Sequence, residues 1–424
     1  MEAHIVQLEH QLDSFDPATR RKALLELLGL ARDGHIKLPP LTTQHNVHCH
    51  TFFSYNAYGY SPTKFAWLAR KESLGIAGIV DFDVLDAVEE FLDAARLVGV
   101  KGIASVESRV FVPEFKTRVI NSPGEPGITY HMGAGFTGAV PHPFLAQMRA
   151  AAAERTRELL GRVNTVMGPL QLDWARDVLP LMPKGNATER HLCEAFERKG
   201  RQMFPDPTTR AAFWQEKLGD APPEGAKLQN LIRAKTMKNG GVGYVQPDEK
   251  SFPLMADMNR CVLDCGAIPM VTWLDGTSDG EQCIEELLAV AERTGAAALN
   301  IIPDRNFTPG VKDHKLQNLY NVVALAEKHH LPIIVGTEMN SPGNKFVDNF
   351  GSAELKPLLP VFLKGAHILY AHTLFRKCSG HGYLGDWAAK RFPNVAAKNE
   401  FFEAAGRELP ADATPEQVLE RIRR

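Results

Sequence analysis

Two histidines separated by one residue close an apolar run in Val47-His48-Cys49-His50-Thr51. In an extended strand, residues i and i+2 project from one face, so both imidazoles can reach one ion at Zn–N distances near about 2.0 Å. Acidic residues follow several later apolar runs: Asp81 and Asp83 after 76–80, Glu107 after 103–106, Glu338 after 333–337. His131 stands just before the glycine turn Gly133-Ala134-Gly135. Singly, each acid reads as readily as a helix cap or a solvated carboxylate. Together with the histidine pair they are the residue types of a divalent-metal centre, and imidazole plus carboxylate suits Zn²⁺, Mn²⁺ or Fe²⁺. Such a centre supplies hydrolysis, because a bound ion brings the pKa of water toward about 7 and polarises a phosphoryl or carbonyl oxygen.

Other residues could serve that chemistry. Asp81 and His131 are the candidate catalytic residues, and Asp81 could orient the water or the imidazoles from behind. Arg109 follows Glu107 by two residues and shares its face if the strand continues, while Arg190 and His191 could hold an anionic group. Each of these three reads equally well as a structural salt bridge or cap. Arg305, after the apolar stretch ending at 302, is a further candidate anion contact. Cys49 must point away from the histidines and is read as a small core residue. His372 is either a core histidine or a supplementary ligand, and Gly380 and Gly382 around His381 suggest a turn over the site.

The elements that must position these groups alternate. A helical N-terminus contains Asp16-Pro17, a good cap and first-turn pair. A strand is expected around 46–50, then a helix from Ser61-Pro62 to 72, a strand at 75–80, a helix at 86–98 and a strand at 102–106. From about 136 to 239 the pattern is helical and charged, with breaks at 183–185 and 221–223. Alternation resumes with strands at 267–273, 296–302 and 332–337 around helices at 281–293 and 315–329. A last strand is expected at 367–370. This is the pattern of a parallel α/β sheet or barrel.

The 424 residues exceed the roughly 250 of one α/β barrel, so an insertion and extensions are expected. The expected division is a helical extension at 1–40, a barrel at 41–136 and 240–424, and an inserted helical domain at 137–239. Fifty acidic against 48 basic residues imply no general affinity for nucleic acid or anionic membrane. The six scattered cysteines read as reduced thiols. No run of ~18 apolar residues and no signal-peptide pattern is visible, so the cytoplasm is the expected compartment. Oligomeric state is left open.

The stretches His48-Cys49-His50-Thr51-Phe52-Phe53-Ser54, Gly78 to Asp83, and Val106-Glu107-Ser108 resemble the polymerase and histidinol phosphatase (PHP) superfamily, whose usual patterns are HxHTxxSDG, TDHD and GxExS. His131 before its glycine turn, Arg190-His191 within the helical segment, and Gly336 to Asn340 continue the similarity, the last where the family has GSDxH. The resemblance runs over about 46–340 and implies a distorted (β/α)7-type barrel and phosphoester hydrolysis. It implies a first metal on His48, His50, Glu107 and Glu338, and a second on Glu107 and His131. Trp273 replaces one expected histidine, and Asn56, Phe82 and Asn340 fall at the third-metal positions. One firm ion, a second left open and no third are therefore expected, with Asn340 free to touch substrate.

Three readings follow. The leading one is a phosphoesterase acting on a small phosphorylated metabolite or nucleotide. The second is a C–N or C–O hydrolase with a mono- or dinuclear site. The third is a non-catalytic barrel that binds a metabolite, for which Phe82 and Trp273 in ligand positions speak.

Overall fold

The computed structural model describes residues 1–220, 224–308 and 310–424, so the expected break at 221–223 lies outside the described residues. Seven strands form one sheet in chain order: β1 His45–Cys49, β2 Ile76–Phe82, β3 Lys101–Phe111, β4 Ile128–Ala134, β5 Ile268–Trp273, β6 Ala298–Ile301 and β7 Ile333–Val335. All neighbours are parallel except β4, which runs antiparallel to both β3 and β5. The sheet curls until its edges meet. Just beyond β7, the Glu338 amide donates to the His48 carbonyl and accepts from the His50 amide through its own carbonyl, both at 2.8 Å. The result is a distorted, nearly closed α/β barrel with helical extensions.

Strand alternation sorts side chains between the two faces. Ile103 packs inward with Val47, Val80, Met132, Met270 and Ile334. Ala104 and Val106 face outward, in the cluster that holds Phe91 and Val262. The same alternation carries Ser105 and Glu107 inward.

One mouth of the barrel is plugged. The helices Leu359–Ser379 and Val395–Glu408 bury Ile368, Leu369, Phe375 and Phe402 in the inner cluster. Gly365 permits this approach, since a Cβ there would fall 1.8 Å from the Ile333 carbonyl oxygen. The strand expected at 367–370 is thus part of a 21-residue helix. Its apolar run is buried on most sides, and periodicity cannot separate such a run from a buried strand.

Between β4 and β5 lie the helices Pro143–Met167, Glu189–Met203, Pro207–Leu218 and Ala226–Thr236, with a core of their own built on Val163, Leu192, Phe196 and Ile232. At the N-terminus, Asp16 accepts from the amides of Ala18 and Thr19 to start the helix Pro17–Arg32. Among the described residues, no helix is long and apolar enough to cross a membrane.

Candidate metal centre

The register of β1 against β2 slips between Asn46 and Cys49, where three steps along one strand match two along the other. Such a bulge re-aims the side chains that follow it. Asn46 steadies the bend: its Oδ1 accepts from the His48 amide at 3.1 Å and its Nδ2 donates to Thr337 and to the Phe346 carbonyl. His48 and His50 then project inward, fully buried.

Each imidazole is oriented from behind. His48 Nδ1 lies 3.2 Å from Asn300 Oδ1, an oxygen that can only accept, so the ring carries its proton on Nδ1. His50 Nδ1 lies 3.0 Å from Ser54 Oγ, which donates to Asp81 Oδ1 at 2.5 Å. Both Nε2 atoms therefore keep a free lone pair. Both are buried without a hydrogen-bond partner. They converge on Glu107 Oε2, at 3.8 Å from His48 and 3.4 Å from His50. Among the described residues these three form the group whose ligand atoms lie within 4.8 Å of one another. The donor set and the two orphaned nitrogens fit a divalent ion, which would satisfy both at once.

Burial lowers the pKa of both histidines, so they stay neutral and ready to ligate. Burial also pushes Glu107 up to about 7.

The remaining expected site residues fall in several places. Glu338 has its backbone beside β1, yet its carboxylate is held by Arg305 Nη2 at 3.0 and 3.1 Å and contributes no oxygen to the three-residue group. Burial would raise its pKa, but the Arg305 guanidinium holds it below the ordinary value. His131 corrects the expectation of a ligand and catalytic group. It pairs with Ser108 across β3 and β4, while Glu107 pairs with Met132, so His131 faces the outer layer. There its Nε2 meets Asn259 of the helix Met255–Asp264. The register of β4, a strand the sequence reading did not expect, sets this direction.

Asp81 is fully committed to the loop after β1, taking the Thr51 amide and hydroxyl and the Ser54 hydroxyl. It orients His50 rather than touching the cavity. His191 also stays out: its Nδ1 accepts from the Thr188 amide at 3.1 Å and closes a capping box. Asn56 holds the His50 carbonyl at 2.8 Å, and the Phe82 ring packs 4.3 Å from that of His50. Trp273 lies in the outer core. His372 accepts from the Tyr383 amide within the plugging helices.

A cavity of about 850 Å³ opens at the three-residue group. Glu107, Arg109, Arg190, Arg305, Glu338 and Asn340 all line it. Arg109 pairs with Glu125 at 3.0 Å and stacks on Phe252. Arg190 donates to Asn230 and Ser341. Arg155 packs on Phe252 as Arg109 does, and among the described residues neither it nor Arg190 has a carboxylate within 4.0 Å. Sequence reasoning missed Asn300, Ser54 and Arg155 as site residues. For Ser54 a signal was present, the serine four residues beyond His50 within the quoted stretch.

No known protein-family profile matches the chain, and no curated protein matches it. Among solved structures, an amidohydrolase from Chromobacterium violaceum with bound sulfate and no metal shares the fold at TM-score 0.50 and 17% identity, over 71% of this chain and 88% of that one. A proposed metal-dependent phosphoesterase from Bifidobacterium adolescentis aligns at TM-score 0.48 and 18% identity, over 77% and 98%.

Proposed function

We propose that the chain is a metal-dependent hydrolase, and specifically a phosphoesterase for a small phosphorylated metabolite or nucleotide. The observation that carries this reading is the convergence of two buried, partnerless Nε2 atoms on Glu107 at the wall of a large cavity. The resemblance of the His48–Ser54, Gly78–Asp83 and Val106–Ser108 stretches to the PHP superfamily supports it.

A divalent ion held by His48, His50 and Glu107 would bring the pKa of water toward about 7 and polarise an ester oxygen. The protein's own part is positional. Asn300 and the Asp81–Ser54 pair fix the imidazole tautomers, and Phe82 keeps water from the back of His50. Arg155 and Arg190 offer cationic N–H groups to an anionic substrate, and bidentate guanidinium contacts suit phosphate oxygens.

A second reading, cleavage of a C–N or C–O bond, is favoured by the small ligand set, since two histidines and one glutamate suffice for a single-ion hydrolase. Metal analysis followed by a panel of phosphate esters, amides and lactones separates the two. Turnover of phosphate esters alone supports the first reading. Turnover of amides or lactones alone replaces it with the second. Protein that binds no divalent metal, and is unaltered by His48→Ala, fails both.

A further inference from the structure

Among the described residues, Arg305 is the guanidinium that pairs with Glu338 beside the metal position. Its Nη2 spans both oxygens of Glu338, while among the described residues its Nε and Nη1 have no hydrogen-bond partner. The side chain is half-exposed and lines the cavity. Glu338 cannot move away as a unit. Its amide and carbonyl are both tied to β1, and it and Met339 hold left-handed backbone at φ 63° and 53°. Two consecutive non-glycine residues in that region persist only where surrounding structure enforces them. The Glu338 carboxylate therefore stays close to His48 and His50, and Arg305 decides where it points.

Charge makes the consequence plain. Two neutral imidazoles, two carboxylates and one guanidinium leave a single net negative charge, enough for one divalent ion and adverse to a second. A guanidinium is also permanently charged, planar and rich in donors, so it can do for a substrate oxygen what a second cation would.

We infer that Arg305 stands in for a second metal: it holds Glu338 out of the ligand set, limits the centre to one ion, and presents its free N–H groups to an anionic substrate oxygen. This rests on the metal-centre reading above. It assigns Glu338 a new role, as the anchor of a fixed cation rather than as a ligand.

Calorimetric titration of Mn²⁺ into the metal-stripped full chain tests it without any substrate. The wild type should take up one ion per chain. Glu338→Gln should still bind one ion, weakened through the lost charge but by far less than His48→Ala, which removes a ligand. Arg305→Ala should release Glu338 and either tighten binding by about tenfold or admit a second ion, and Arg305→Lys should keep one ion. Loss of binding in Glu338→Gln as complete as in His48→Ala would make Glu338 a ligand and overturn the inference. So would two ions in the wild type, or an Arg305→Ala isotherm identical to it; either leaves the metal centre standing. A wild type that binds no ion removes the centre itself.

Discussion

Ser54 Oγ lies 3.0 Å from Nδ1 of His50, and its own proton goes to Asp81. A hydroxyl that donates to a carboxylate can only accept from the ring, so His50 is protonated on Nδ1 and turns a bare Nε2 toward Glu107. Asn300 imposes the same tautomer on His48. The two supports come from different elements, the loop after β1 and strand β6, and they act on rings whose direction a bulge has already set.

Removing one support should weaken the ion without unfolding the chain. Ser54→Ala is expected to lower divalent-metal affinity by about 10–100-fold, read by competition with a chromophoric chelator. An affinity equal to wild type would mean that Asp81 does not act through Ser54.

The pKa of Glu107 sets a pH dependence. Burial holds it at about 7, so the metal-free protein keeps a proton there that an ion must displace. Metal affinity should rise with pH up to about 7, with proton release, and level off above. An affinity that is the same at pH 6 and pH 8, measured by chelator competition, would mean that Glu107 is already ionised in the metal-free protein.

Much of this centre was legible beforehand, for identifiable reasons. His48 and His50 close the short β1 and Glu107 lies within the longer β3, each beside a strong apolar run, where period-two alternation fixes direction once the strand is recognised. His131 was misread because direction depends on the partner strand. No strand was expected at 128–134, and nothing local says in which register it pairs, which is what shows His131 to the helices. Asn300 marks the place where the PHP pattern often has glutamate, but its support of His48 could not be read from the sequence, for another reason. Its role lies in a contact across 252 residues, and an asparagine inside an apolar strand resembles any buried polar group. The strand expected at 367–370 failed because a helix buried on nearly every side has no polar face to reveal its period.

The placement of His131 can be checked directly. His131→Ala should leave metal affinity unchanged, yet strand Asn259 in the outer core and cost about 1–3 kcal/mol in chemical denaturation. Loss of metal with unaltered stability would return His131 to the ligand set.

The unpaired cations make a claim about substrate. Arg155→Ala should raise KM for an anionic substrate by about tenfold, equivalent to about 1.4 kcal/mol, with little change in kcat. Competitive inhibition by inorganic phosphate should weaken in parallel. Equal inhibition of variant and wild type would take Arg155 out of the binding surface.

The most direct measurement is anomalous diffraction from crystals of the full chain soaked in Zn²⁺ or Mn²⁺. The centre described here predicts a peak within about 2.0–2.2 Å of His48 Nε2, His50 Nε2 and a Glu107 oxygen together. Ions seen only elsewhere, with both Nε2 atoms still bare at saturating metal, would contradict it.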